Sequence, residues 1–258
     1  MIVQVIGSKG MLGQAVCEAV QRAGHTVHSN GVDITHVHHT QITGEVVINC
    51  AGIVKQRKEV AASEFIRVNA YGPHRLAERC DEARARLIHV STDCVFNDHR
   101  QMSKVESSTP TPNDVYSLSK LTGEVTRWPH LTVRTSFIGW GKRGLLADLL
   151  AHKGSTRSEY RGARWSGHTV ETVAQVLVML APLESVCGLL HIPGEFQTRG
   201  ELIRRLSKRF DLNITVNDSF EQPGYDRRLA SERWEALGLP TLDSFETQLE
   251  RMSDGPTH

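Results

Sequence analysis

Ile2-Val3-Gln4-Val5-Ile6 runs directly into Gly7-Ser8-Lys9-Gly10-Met11-Leu12-Gly13, and this stretch decides the fold. The first five residues are a short apolar run with β-branched side chains, which is typical of a buried parallel strand. Residues Gln14 to Ala23 then show helical periodicity. A strand, a glycine-rich turn and a helix in this order predict the first unit of a dinucleotide-binding α/β fold.

The three glycines of this turn suit a bound dinucleotide. Gly7 permits the tight turn, and Gly10 lets the backbone approach a pyrophosphate at the helix N-terminus. Gly13 lets the helix pack closely on the sheet. We therefore expect the turn to hold the phosphates of a nicotinamide cofactor.

The residues after the second predicted strand bear on the choice of cofactor. NAD-binding proteins usually place a carboxylate there, whereas this chain has His28-Ser29-Asn30 and no carboxylate before Asp33. Lys9 lies within the glycine turn, where its charge suits a 2′-phosphate. We expect NADP(H) as the preferred cofactor and NAD(H) as the alternative, with Asp33 beside the ribose or the adenine.

Strands alternate with helices beyond this turn, which predicts a Rossmann-type doubly wound parallel sheet in an α/β fold. Residues 1–140 are expected to form the NAD(P)-binding domain, with later segments returning to it. Residues 141–258 are expected to form mainly a smaller C-terminal substrate-binding lobe. The pattern further predicts a helix over 116–127, a loop over 153–167, and a capping box between Thr198 and Glu201.

Composition favours an ordinary soluble globular protein. The chain has 258 residues, of which 39% are apolar and 23% charged, with a formal net charge of +1. That charge gives no reason to expect nucleic acid or an anionic membrane as a partner. Apolar runs such as 173–183 are too short to span a bilayer, and no secretory signal is visible. Five scattered cysteines without a Cys-x-x-Cys pair indicate reduced thiols in the cytoplasm.

Tyr116 and Lys120 form the expected catalytic pair. Residues four apart lie about one helical turn apart on the same face. A lysine ammonium there lowers the pKa of a nearby phenol, because positive charge favours the phenolate. A tyrosine tuned in this way exchanges a proton with a carbonyl or an alcohol near neutral pH. His36 to His39 is tempting as a metal site, but no further ligands complete it, so no metal is expected.

Several stretches together resemble one family. They are Val32-Asp33-Ile34-Thr35, Val47-Ile48-Asn49-Cys50-Ala51-Gly52, Val68-Asn69-Ala70-Tyr71-Gly72, Val90-Ser91-Thr92-Asp93-Cys94-Val95-Phe96 and Tyr116-x-x-Ser119-Lys120-Leu121-x-Gly123-Glu124. In this order they closely resemble the dTDP-4-dehydrorhamnose reductases, sugar-nucleotide reductases of the extended short-chain dehydrogenase/reductase superfamily. The resemblance is strong to about Gly139 and weak beyond Gly194.

The resemblance implies NADPH-dependent reduction of a 4-keto-6-deoxy sugar carried on a nucleotide diphosphate, in deoxysugar or polysaccharide biosynthesis. Tyr116 would protonate the carbonyl oxygen, Lys120 would tune Tyr116 and bind the nicotinamide ribose, and Thr92 would stabilise charge on the substrate oxygen. Ser91 is expected to point to the other side of its strand. The residues expected to line the cofactor are Gly7, Lys9, Gly10, Met11, Leu12, Gly13, Asp33, Ile34, Asn49, Ala51, Gly52 and Lys120.

Substrate contacts are also implied by the resemblance. The expected residues are Thr92, Cys94, Phe137, Trp140, Lys142 and Trp165. The two tryptophans are equally well interpreted as core or rim aromatics. Cys94 stands where many members have an aromatic, and it is either a small packed residue or an acid/base for epimerisation, with His168 as its candidate partner.

Two other functions stay open at this point. A sugar-nucleotide epimerase or epimerase/reductase would keep and regenerate its cofactor. A non-catalytic NADP-binding protein would resemble the regulatory subunit of methionine adenosyltransferase, although such a protein has no need of Tyr116, Lys120 and Thr92 together. A homodimer is the usual expectation for such a protein.

Overall fold

A six-stranded sheet forms the centre of the computed structural model, which describes residues 1–29, 34–39, 41–57, 59–100, 102–160, 162–220, 224–253 and 255. The strands are β1 Ile2–Ile6, β2 Thr26–His28, β3 Val46–Asn49, β4 Arg86–Thr92, β5 Leu131–Thr135, β6 Phe137–Ile138, β7 Thr156–Tyr160, β8 Arg164–Trp165, β9 His168–Thr169, β10 Gly188–His191, β11 Gln197–Thr198 and β12 Thr215–Phe220. The α-helices are α1 Met11–Arg22, α2 Ala62–Phe65, α3 Gly72–Glu82, α4 Val115–Thr122, α5 Leu145–Ala151, α6 Val170–Leu180, α7 Arg199–Arg209 and α8 Phe245–Arg251. A π-helical turn, Ile66–Tyr71, joins α2 to α3, and 3-10 turns cover Ile34–His39 and Asp93–Val95.

The strand order identifies where a ligand would bind. It runs β10-β5-β4-β3-β1-β2, and β1 pairs in parallel with both β2 and β3. The chain therefore reverses its direction of progress across the sheet between β1 and β3. In open parallel sheets ligands bind beyond the carboxyl ends of the strands at such a switch point. The predicted α/β fold class with a Rossmann-type parallel sheet is confirmed.

Apolar helix faces cover this sheet. Helix α1 contacts β1 and β2 and packs along α6. A separate buried cluster joins Ile6, Val47 and Leu87 of the sheet to Leu76 and Ala77 of α3. The helices are amphipathic, with their apolar residues inward, which is the pattern that burial on a sheet requires.

The chain divides into two compact units. The first comprises Met1–Val95, Pro112–Thr135 and Val170–Leu190, and the second comprises Phe96–Thr111, Ser136–Thr169 and the chain from His191 onward. The sequence predicts a boundary at residue 140 with later segments returning to the first domain, and the chain passes between the units five times. Because α6 packs along α1, the segment that contains α6 belongs with the first unit.

The second unit has its own apolar core and small sheets. Helices α5, α7 and α8 contribute Leu146, Leu149, Leu206 and Phe245 to this core. Strand β7 pairs with β12, β8 with β11, and β6 with β9. The predicted loop over residues 153–167 is therefore wrong, because its polar residues form β7 and β8. The predicted Thr198–Glu201 capping box is confirmed at the start of α7.

The predicted helix over residues 116–127 is too long. Helix α4 ends at Thr122, and Gly123 follows as its C-cap. A Cβ atom on Gly123 would lie 1.9 Å from the carbonyl oxygen of Asn69, so the chain passes too close to its neighbour for any side chain. Residue Val125 then bonds to β5, since Thr132 Oγ1 accepts from its N–H and donates to its carbonyl. Within the described residues, no helix combines the length and the apolar character that a membrane crossing needs.

Candidate functional site

The glycine turn between β1 and α1 has the geometry of a phosphate cradle. Gly7 has φ +80°, and a Cβ on Gly13 would lie 2.1 Å from the Gly7 carbonyl oxygen, so neither position accepts a side chain. Gly10 is the N-cap of α1 and supplies no capping side chain. The first N–H groups of α1 thus remain for a ligand, and the helix dipole favours an anion there.

The other predicted residues of this turn differ in exposure. Lys9 is exposed and Met11 is partly exposed, but the Leu12 side chain is buried in the core. Leu12 therefore offers a ligand its backbone alone. Ile34 is also buried in the apolar cluster under α3, and Asp33 lies outside the described residues.

The turn after β3 lies against the glycine turn. A Cβ on Gly7 would be 2.6 Å from the Ala51 nitrogen. Asn49 is fully buried, and its side chain accepts from Ala51 N at 3.0 Å and contacts His89 Nδ1 at 3.0 Å. The Asn49 side chain thus shapes the turn from inside. A Cβ on Gly52 would lie 3.9 Å from Lys120 Nζ, which brings this turn next to the predicted catalytic helix.

Asp114 begins the helix that carries Tyr116 and Lys120. Its carboxylate accepts from Ser117 N at 2.7 Å, and the Ser117 hydroxyl closes a capping box with the Asp114 backbone. Lys55 pairs with the same carboxylate at 2.6 Å. Burial alone would raise the pKa of Asp114, but Lys55 and these hydrogen bonds outweigh it and hold that pKa below its usual range. Ser117 therefore helps to fix the start of α4.

Lys120 is buried in the first unit. It is 6% exposed, and Nζ donates to the Val90 carbonyl at 2.7 Å. Burial lowers the pKa of Lys120 to about 8, opposed first by the charge of Glu124. Tyr116, one turn earlier, is partly buried, with its ring edge-on to Phe65 and the centroids 6.5 Å apart.

Asn69 is a site residue that sequence reasoning did not single out. It lies fully buried in the π-helical turn, where its side chain accepts from Ile53 N at 2.8 Å and donates to Ile53 O at 2.9 Å. It also donates to Ser119 Oγ at 3.2 Å, and Ser119 Oγ donates to the Tyr116 carbonyl. Asn69 therefore ties the turn after β3 to the helix of Tyr116. The available signal is a polar residue between the apolar residues Val68 and Ala70.

Thr92 ends β4 and is 7% exposed. Its hydroxyl accepts from Cys94 N at 3.1 Å and donates to Asp93 at 3.2 Å. Ser91 donates instead to Glu124 at 2.7 Å. Cys94 is a partly exposed free thiol.

Both candidate tryptophans are engaged within the second unit. Trp140 Nε1 donates to the Ser253 carbonyl at 2.8 Å, and its ring meets Phe210 edge-on. Trp165 Nε1 donates to Ser136 Oγ at 2.8 Å, and its ring meets Phe245 edge-on. An indole has one donor and no acceptor, so only the ring faces remain for a ligand.

The remaining predictions in the second unit have simpler surroundings. Phe137 is partly exposed on β6, and Lys142 is exposed. His168 is buried between Gln248, 3.1 Å from Nδ1, and the Pro193 carbonyl, 3.1 Å from Nε2. Both ring nitrogens of His168 are thus engaged within its own unit, which is the structural role that its position at the start of a helix suggests.

Comparison with known proteins places these features in context. The dTDP-4-dehydrorhamnose reductase of Mycolicibacterium smegmatis is 37% identical over 129 residues, which cover 46% of this chain and 39% of that protein. The enzyme of that name from Mycobacterium tuberculosis is 34% identical over 159 residues, 54% of this chain and 51% of that protein. The chain thus spans about half the length of these curated relatives.

A solved structure shows that the fold is shared. The dTDP-4-dehydrorhamnose reductase of Bacillus anthracis, in complex with NADP, superposes with a TM-score of 0.85 at 21% identity, covering 97% of this chain and 98% of that one. The family model described as the RmlD substrate binding domain matches residues 1–252. The chain therefore belongs to the RmlD substrate binding domain family.

Proposed function

We propose that this protein is an NADPH-dependent reductase of a nucleotide-diphosphate-linked 4-keto-6-deoxy sugar, working in deoxysugar or polysaccharide biosynthesis. The observation that carries the proposal is the approach of Gly52, beyond β3, to the buried amine of Lys120 on the helix of Tyr116. This approach brings the cofactor turn next to the tyrosine–lysine pair, which is the arrangement that hydride transfer to a carbonyl needs. The relatives named as dTDP-4-dehydrorhamnose reductases support the same substrate class.

The glycine turn fits the proposed cofactor. Gly7 and Gly13 leave no space for side chains, and α1 presents uncapped N–H groups, so the turn suits a pyrophosphate. Exposed Lys9 suits the 2′-phosphate of NADP(H). The cofactor, when bound, supplies the hydride. Binding of NADP by the Bacillus anthracis protein supports this choice, and NAD(H) stays the alternative.

Three residues would act on the substrate carbonyl. Tyr116 gives its phenolic proton to the carbonyl oxygen, and Lys120 holds positive charge beside the phenol and donates to the cofactor ribose. Thr92 donates to the same oxygen as negative charge develops there. Its present bond to Asp93, at 3.2 Å, is long for a hydroxyl, so rotation towards a substrate costs little.

The second unit is proposed to bind the nucleotide sugar. Phe137 and the ring faces of Trp140 and Trp165 offer apolar surface, and exposed Lys142 offers charge for a diphosphate.

We further place the protein in the short-chain dehydrogenase/reductase superfamily and in the cytoplasm, as a homodimer. Five free cysteines support a reducing compartment. Light scattering would test the dimer.

NADPH consumption against a panel of dTDP-, UDP-, GDP- and CDP-linked 4-keto-6-deoxysugars tests the proposal. Turnover is expected with one member, and Tyr116→Phe should lower kcat by about a hundredfold or more. Tyr71→Phe is the matched control, since Tyr71 is 50% exposed and lies on the π-helical turn. Fluorescence titration with NADPH should show that both variants bind cofactor. Tight NADPH binding without turnover across the panel would contradict the reductase and favour a binding-only protein.

One observation favours a second candidate, epimerisation. Cys94 is partly exposed and lies two residues beyond Thr92, whose hydroxyl its N–H contacts. An acid/base thiol there would exchange a carbon-bound proton of the sugar with solvent. Incubation in deuterium oxide with cofactor should then label the sugar, and Cys94→Ser should stop the labelling. Reduction without any label would exclude this candidate.

A further inference from the structure

The segment after α4 forms a buried charged cluster that the proposed mechanism does not use. The Glu124 and Arg134 side chains are 6% and 3% exposed and are joined by two hydrogen bonds, Nε to Oε1 at 2.8 Å and NH2 to Oε2 at 2.7 Å. Ser91 donates to the same Oε1 at 2.7 Å. Because Ser91 and Arg134 are paired across β4 and β5, both strands fix the carboxylate.

The backbone on either side of Glu124 is fixed as well. Glu124 N donates to the Leu121 carbonyl, and Val125 is held in both directions by the Thr132 hydroxyl. The position of the carboxylate is therefore determined by α4 and β5 together. A surface ion pair would need none of this support.

This cluster lies next to Lys120. Lys120 Nζ bonds to the Val90 carbonyl, and the Glu124 carboxylate bonds to the hydroxyl of Ser91, the next residue of β4. Consecutive residues of one strand thus hold the amine and the carboxylate. The acid also lies just four residues after the lysine, beyond the C-cap of α4.

Two other described groups, Cys50 and His89, interact electrostatically with Lys120, and neither carries a charge near neutral pH. Burial raises the pKa of the Cys50 thiol far above its usual range. Burial lowers the pKa of His89, on β4, well below its usual range. Among the described groups that act on Lys120, Glu124 is therefore the anion that offsets the burial of the amine. Arg134 holds this carboxylate in place through its two hydrogen bonds.

We propose that Glu124 is a positioning residue that keeps the amine of Lys120 protonated at neutral pH, with Ser91 and Arg134 holding the carboxylate in place. The effect on the protonation of Lys120 does not depend on the proposed reductase, whereas the effect on catalysis rests on that proposed function. A protonated Lys120 is the form that supports Tyr116 as an acid. Loss of the carboxylate should therefore confine the activity of the folded enzyme to lower pH.

NMR titration of Lys120 tests the first part without any assay of activity. Protein carrying 13C at the lysine Cε atoms is titrated, and the Lys120 signal is assigned from its loss in Lys120→Met. The pKa of Lys120 should fall by about one unit or more in Glu124→Gln, which is a tenfold change in the amine equilibrium. Glu82→Gln is the matched control, since it removes an exposed partner of Arg79 on α3, and should leave the titration unchanged.

Glu124→Gln leaves the buried Arg134 without its anion and can fail to fold for that reason. The double variant Glu124→Gln/Arg134→Met removes both charges and should show a smaller fall in the same direction, because the Arg134 cation, which opposes protonation of Lys120, is lost with the anion. An unchanged pKa of Lys120 in a folded variant of either kind overturns the proposal.

The pH profile of kcat tests the second part. Activity should decline as pH rises through the pKa of Lys120, and in the variant this decline should move down by the shift that NMR measures. At lower pH the variant should approach the wild-type rate, whereas a merely structural defect would reduce activity at every pH. A shifted titration with no turnover in any protein would refute the reductase and leave the inference standing. Turnover together with an unchanged pKa of Lys120 in the variant would support the reductase and refute the role of Glu124.

Discussion

The predicted catalytic helix and the predicted substrate-binding tryptophans differ in what their internal bonds leave for a ligand. Lys120 gives one donor of its ammonium to Val90, and an ammonium has three. Trp140 and Trp165 each give their single N–H to a partner in their own unit. The catalytic helix thus holds a charged group in place with donors remaining, whereas the two tryptophans offer a ligand their aromatic faces alone. The residue type alone does not show whether a side chain is left to bind a ligand, because its hydrogen-bond partners in the fold decide how many donors remain.

The largest effect is expected from Gly13→Ala. The new Cβ would lie 2.1 Å from the Gly7 carbonyl oxygen, so the glycine turn must move away from α1. NADPH affinity should fall by more than tenfold in fluorescence titration, with a stability loss of several kcal/mol, typically about 3 or more.

Gly24→Ala is the control for that substitution. Gly24 has φ +74° but nothing within 4 Å of the added Cβ, so the expected cost is about 1 kcal/mol of stability with unchanged NADPH affinity. Equal losses of affinity in both variants would show that the close approach of the turn to α1 does not matter for binding.

The charge of Lys120 should produce the next largest effect, in the pH dependence of stability. The pKa of Lys120 is about 8 in the fold and about 10.5 when unfolded, so between these values the unfolded chain binds more protons. The free energy of unfolding should therefore gain about 3 kcal/mol from this group as pH rises from 8 to 10.5. Below pH 8 the cost of burying the charge is fully present.

Lys120→Met isolates that contribution. Urea denaturation at several pH values should show the stability of wild type rising relative to the variant across this range. If the difference in the free energy of unfolding between the two proteins stays constant with pH, burial does not lower the pKa of Lys120. The two regions would then not differ in the electrostatics of a buried charge.

Asn69 gives a smaller effect with a functional consequence. Asn69→Ala leaves the Ile53 N–H and carbonyl without their side-chain partner and should cost about 2 kcal/mol. The turn after β3 would loosen against α4, so NADPH affinity should fall as well. Ser119→Ala removes one of the bonds that Asn69 makes, together with the bond from Ser119 Oγ to the Tyr116 carbonyl, but leaves both bonds to Ile53 and should cost less in urea denaturation. A greater loss in Ser119→Ala would show that Asn69 does not organise the turn.

The sequence predicts the fold of this first region because the chemistry of the region constrains local spacing. Glycine is required at positions 7, 10 and 13 because the backbone there turns tightly and comes close to a ligand or to a neighbouring element. The helical repeat sets the spacing of Tyr116 and Lys120. The buried partners of these residues come from other strands and turns. Asn69 and Arg134 are examples: a single sequence shows a polar residue in each place, but not which distant backbone or carboxylate it meets.

The second region is harder to predict for the same physical reason. Strands β7 and β8 are polar and short. They form strands because they pair with β12 and β11, and their own sequence periodicity does not indicate it. The partners of Trp140 and Trp165 lie 113 and 29 residues away. Aromatic residues are therefore ambiguous until those partners are known.

The smallest effect is expected from Trp140→Phe, which separates the two interpretations of this tryptophan. Phenylalanine keeps an aromatic ring near Phe210 but cannot donate to Ser253, so stability should fall by about 1 kcal/mol. Trp128→Phe, at a site that is 76% exposed, should leave stability unchanged. If the ring of Trp140 also contacts the nucleotide sugar, KM should change several-fold at constant kcat. A stability loss with unaltered KM would assign Trp140 to the core of the second unit, since the indole would then serve its partners there and nothing else.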